Sequence, residues 1–66
     1  MLNRNAWNAW YRADRQSPWR WTASGAFYGE AHSKAMLRTN GTGEVIVLFG
    51  RQLPEEYERR YLRMSR

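Results

Sequence analysis

Trp7-Asn8-Ala9-Trp10-Tyr11-Arg12-Ala13-Asp14-Arg15-Gln16-Ser17-Pro18-Trp19-Arg20-Trp21 holds all four tryptophans of a 66-residue chain, with a tyrosine and three arginines among them. The fold turns on whether this stretch is helical or extended. Taken with helical period, Leu2, Ala6, Ala9, Trp10 and Ala13 form a stripe. Taken with period two, Trp7, Ala9, Tyr11 and Ala13 fall on one face and Asn8, Trp10 and Arg12 on the other. The neighbouring segment decides between them. From Trp19 to Ser24, Trp19, Trp21 and Ala23 alternate with Arg20, Thr22 and Ser24, after a break at Ser17-Pro18. A lone strand needs a partner, and the adjacent aromatic segment supplies one, so a β-hairpin is predicted over about residues 6–24, turning across Asp14 to Pro18.

Pairing Ala13 with Trp19, Tyr11 with Trp21 and Ala9 with Ala23 gathers Trp7, Tyr11, Trp19 and Trp21 on one hairpin face. The opposite face then carries Trp10 among Arg12, Arg20 and Thr22. On this reading Trp21 is a core residue, and Trp10 is the ring available to a ligand.

Beyond the hairpin, a helix is predicted over about 29–39, with Ala31 and Ala35 four apart, Glu30 in its first turn, Arg38 near its end and Asn40-Gly41 as a left-handed stop. Ala31 and Ala35 let it approach the large side chains of the aromatic sheet face closely. Residues 44–49, Glu-Val-Ile-Val-Leu-Phe, have no polar face and read as a strand in the middle of a sheet, covered on both sides. Pro54 suits the first turn of a second helix over about 54–64. That helix has Glu55, Glu56 and Glu58 at its start, Arg59, Arg60 and Arg63 toward its end, and Glu55/Arg59 and Glu56/Arg60 four apart. The expectation is one small α+β domain of β-β-α-β-α order: a three-stranded, mainly antiparallel sheet, one helix on its aromatic face and a C-terminal helix beside or behind it. The hairpin and first helix are loosely similar to the small DNA-binding domains of plant transcription factors and phage integrase arms. There three strands precede one helix; here the third strand follows it, and no site residue carries over.

A chain this short buries only about 60% of its unfolded surface. With no cysteine and one histidine, it has neither a disulfide nor a Cys/His metal site to staple it. Aromatic mass, 15% of the residues, or self-association must compensate. The longest apolar run, Val45 to Phe49, is far short of the roughly 20 residues of a membrane span. The first residues lead into no apolar stretch of the kind that marks a secretory signal, and the reading is cytoplasmic.

Eleven basic against six acidic residues give a net charge of +5, and ten of the eleven are arginine. Such a balance attracts polyanions, and guanidinium groups pair well with phosphate. The candidate contact residues are Trp10, Arg12 and Arg20 on the outer hairpin face, as a platform for stacking and phosphate pairing, and Arg59, Arg63 and Arg66 on one side of the second helix. Catalysis finds no constellation. His32 has no partner visible in sequence, the glutamates at the second helix start are explained by its dipole, and Gly41-Thr42-Gly43 runs from helix to strand, opposite to a phosphate loop. The expectation is a small basic, non-catalytic, nucleic-acid-binding protein without cofactor, metal or small-molecule substrate. The competing class is a protein-interaction module or small homo-oligomer using the aromatic sheet face, because interface cores are also enriched in aromatics and arginine.

Overall fold

The computed structural model describes the backbone of residues 2–64 and the side chains of residues 2–61. Its elements are β1 (Trp7–Arg12), β2 (Arg20–Gly25), α1 (Tyr28–Thr39), β3 (Glu44–Phe49) and α2 (Pro54–Met64). They form the expected small α+β domain. The sheet order is β2-β1-β3 and both pairings are antiparallel. β2 and β3 therefore run parallel to each other on either side of β1, and α1 is the crossover that two parallel strands require.

That crossover corrects one expectation. The apolar β3 is an edge strand, and the centre belongs to β1. The hairpin turn fixes β2 on one side of β1; α1 then packs over the middle of the sheet on Ala9 and Ala23 and delivers the chain to the far side.

A second correction comes from a bulge. Ala9 faces Ala23 as expected, but the next pairs are Trp10 with Trp21 and Tyr11 with Arg20, leaving Thr22 without a partner. One extra residue reverses the facing of everything beyond it. Trp19 and Trp21 thus leave the α1 side and join Asn8, Trp10 and Arg12, whereas Arg20 moves to the side of Tyr11. Side-chain contacts agree with this placement: the Trp21 Nε1–H donates to Asn8 Oδ1 at 3.0 Å, and the Arg12 guanidinium lies over the Trp19 ring, 4.2 Å from its centroid.

Because the bulge removes two indoles from beneath α1, the helix does not meet the large side chains expected there. The core is Ala9 and Ala23 of the sheet against Ala31 and Ala35 of the helix, with Val47, and Trp7 and Val45 packed at its margin. Alanine methyl groups meet at the middle of the two layers, and side chains this small let a helix approach a sheet closely. Trp7 closes one end, edge-on to Tyr28 at 5.5 Å and to Phe49 at 5.1 Å between ring centroids.

Asn8, 1% exposed, sits on the opposite face of the central strand. Its Nδ2 donates to the carbonyl of Gly50 at 2.8 Å, and its Oδ1 accepts from Trp21. One buried amide thus ties all three strands' ends together, joining β1 to the bulged β2 and to the turn after β3.

The ends of α1 follow local chemistry. Phe27 at the N-terminal cap has no side-chain oxygen to offer, and Glu30 in the first turn compensates by accepting from the Ala26 N–H at 2.7 Å. At the other end Asn40 adopts a left-handed φ of 56°, and the Gly41 N–H reaches back to the Met36 carbonyl at 3.0 Å. The Ala26 N–H first, and then Lys34 at 3.4 Å, hold the Glu30 carboxyl below the usual carboxylate range. A depressed folded value means that this contact's stabilisation is present above the unfolded pKa and is lost as pH falls through the folded one. Thermal unfolding followed from about pH 7 to about pH 3 should therefore show a smaller acid-induced loss in Glu30→Gln than in the wild type, with the variant already less stable at neutral pH.

Candidate nucleic-acid interface

The six residues singled out as contacts do not form one surface. Arg12 is 12% exposed along its side chain and is committed to carboxylates. Its Nε and Nη2 donate to Glu44 Oε1 at 3.1 and 2.9 Å, and Nη2 also donates to Glu58 Oε2 at 3.2 Å. Trp19 completes this cluster by donating its Nε1–H to Glu58 Oε1 at 3.2 Å. The Glu44 hydrogen bond, joined by the attraction of both carboxylates, raises the Arg12 pKa further in spite of desolvation. Two acids around one base leave no positive charge for a phosphate; the arrangement joins α2 to β1 and β3. Trp10 is half-buried and its Nε1 is buried without a hydrogen-bond partner, so it is not the open ring expected. Arg20 is exposed but on the other face of the sheet from Trp10 and Arg12. Arg59 is exposed on α2. The Arg63 side chain and Arg66 lie outside the described residues.

What the bulge takes from one face it assembles on the other side of β2. Arg20 stands next to Tyr11, and the edge of β2 meets the C-terminal half of α1, where Lys34 Nζ donates to the Ser24 carbonyl at 3.2 Å and Arg38 donates to the carbonyl of Thr22. A shallow groove results, lined by Tyr11, Arg20, Trp21, Thr22, Arg38 and Thr39. It continues past Tyr11 and Arg20 into a second hollow bounded by Arg12, Ala13, Ser17 and Pro18 at the hairpin turn. Every charged residue in these two linings is an arginine. Trp21, expected inside, is 47% exposed, but its indole is held by Asn8 on the opposite face of the sheet, and the ring that shares a face with Arg20 is that of Tyr11.

Arg38 and Tyr11 line this groove and were not among the expected contacts, for separate reasons. Lys34 and Arg38 are four apart on α1, a spacing that puts them on one side of the helix, but nothing local says which strand edge that side meets. Tyr11 was expected among covered aromatics, and only the bulge brings Arg20 beside it. His32 is exposed and stacked on Tyr28, 6.1 Å between centroids. Among the described residues no group of three or more His, Asp or Glu could hold a metal ion, and no helix is long and apolar enough to cross a membrane. No protein-family model matches this chain, and neither do any curated proteins or solved structures.

Proposed function

We propose that this is a small, non-catalytic protein that binds single-stranded nucleic acid along the Tyr11–Arg20–Arg38 groove, in the cytoplasmic setting that a chain without cysteine suits. The observation that carries the reading is the pairing, in one lining, of the Tyr11 ring with Arg20 and Arg38 and no carboxylate. A base stacked on an aromatic ring gains roughly 1–3 kcal/mol, and guanidinium groups pair with the adjacent phosphates. A single strand suits this site because a base must leave the duplex to lie on the Tyr11 ring.

The test is a titration with single- and double-stranded oligonucleotides at several salt concentrations, followed by tryptophan fluorescence. Binding should weaken as salt rises. Arg20→Ala should reduce affinity about tenfold at low salt and make the salt slope shallower by about one unit. Tyr11→Leu should weaken binding by removing the stacking ring, and Arg59→Ala should leave affinity unchanged. Equal losses on replacing Arg20 and Arg59 would move the contact to α2; silence at low salt would end the reading.

A further inference from the structure

The two edges of the sheet are treated differently. Along β2 the outward carbonyls of Thr22 and Ser24 are occupied by Arg38 and Lys34 of α1, a cationic plug of the kind that keeps a strand edge from recruiting another chain. Among the described residues β3 has no such guard. The Gly50 N–H donates to the Ala6 carbonyl at 2.8 Å, which sets the alternation: Glu44, Ile46 and Leu48 point their backbone groups at β1, and Val45, Val47 and Phe49 point theirs away from the sheet. Among the described residues nothing bonds to those outward groups. The strand holds no proline, lysine or arginine, and its composition is that of a central strand.

We propose that the free edge of β3 pairs antiparallel with β3 of a second copy, about a two-fold axis at Val47. In this register Val47 faces Val47 of the other copy and Val45 faces Phe49, so all three outward residues are used on both chains. Three pairs exchanging two bonds each make six hydrogen bonds. The sheet becomes six-stranded, and the apolar β3 comes to lie at its centre.

The side chains fit this occupant. Phe49, 50% exposed, lies on the α1 face and gains the half-buried Val45 of the other copy. Glu44, the only charged residue of the strand, arrives opposite Gly50 and next to the exposed Arg51 of the second chain, so the seam is closed at both ends by opposite charges. The described hydrophobic core of one copy is five alanines with Val47 and Leu48, a small apolar burial for a chain with no disulfide, and pairing supplies the missing contact.

This inference is independent of the nucleic-acid reading, and salt separates the two. Two chains of charge +5 repel, so dimerisation should strengthen with added salt, whereas oligonucleotide binding should weaken. The experiment uses the full chain without nucleic acid. Sedimentation equilibrium should give twice the mass of one chain at high protein concentration, and Phe49→Lys should raise the dissociation constant at least about tenfold while keeping the far-ultraviolet spectrum. Amide hydrogen exchange reads the seam without any substitution, and so holds even if Phe49→Lys does not fold: Val45, Val47 and Phe49 should be protected alongside Ile46 and Leu48, and should lose that protection on dilution. Free exchange at Val45, Val47 and Phe49 while Ile46 and Leu48 stay protected, whether the mass is that of one chain or two, would overturn the proposal.

Discussion

Asn8→Leu should lower the free energy of unfolding by about 2–4 kcal/mol, because it deletes one amide and strands two partners. The Gly50 carbonyl, in a buried residue, loses its 2.8 Å donor, and the Trp21 Nε1–H loses its acceptor. A buried polar group left unpaired costs about 1–3 kcal/mol, and Trp21 is open enough for water to recover part of its share. Stability at about 0.05–0.15 kcal/mol per residue would leave this chain with roughly 3–10 kcal/mol in all, so the loss is a large part of the whole. Urea unfolding followed by tryptophan fluorescence measures it. Asn8→Asp sharpens the test. A carboxylate facing the Gly50 carbonyl is disfavoured and its folded pKa is raised, so this variant should be relatively more stable below the ordinary aspartate pKa of about 3.9 and lose stability as pH rises through its folded value. Equal stability of wild type and Asn8→Leu would show that the amide does not hold the strand ends together.

The second large effect is expected at Gly43, where α1 returns to β3. Its φ of +73° is one that side chains rarely adopt, and an added Cβ would lie 2.5 Å from Tyr11 Cε1 and 2.6 Å from the Arg12 carbonyl oxygen. Left-handed backbone costs a non-glycine residue about 1–2 kcal/mol. The carbonyl belongs to the end of the central strand and cannot swing aside as a flexible side chain would. Gly43→Ala should therefore cost about 2–4 kcal/mol, and should also disturb the groove, because Tyr11 is one of its walls. A substitution that leaves both the unfolding midpoint and the Tyr11 ring resonances unmoved would mean that the turn has room not apparent in its geometry.

Element order could be read from the chain because each element carries a signal of its own: alternation at Trp19 to Ser24, the Ala31/Ala35 spacing, the Asn40-Gly41 stop, Pro54 at a helix start. The facing of residues on β2 could not. It depends on Thr22 being skipped in the pairing with β1, and no glycine or proline marks that position. The parity of Trp19, Arg20 and Trp21 was inverted as a result, and with it the assignment of which indole is covered and which is open. Arg12 looked free because its carboxylate partners are 32 and 46 positions away. β3 looked central because both its faces are apolar, yet edge or centre is a property of the sheet that the hairpin and crossover decide together. The groove itself joins residues of β1, β2 and α1, which only the completed fold brings side by side.

The alanine contact beneath α1 also bears on how this chain can change over time. Ala9, Ala23, Ala31 and Ala35 are at most 2% exposed, so nearly any exchange there adds volume to a space with none to spare, and glycine would weaken the helix or strand instead. Compensating exchanges, one residue growing as its neighbour shrinks, are closed to a set that is already at the lower limit of side-chain size. Divergence in descendants of this sequence is thereby channelled to the periphery, where the arginines, the open indole and the unguarded strand can vary without disturbing the seal between helix and sheet.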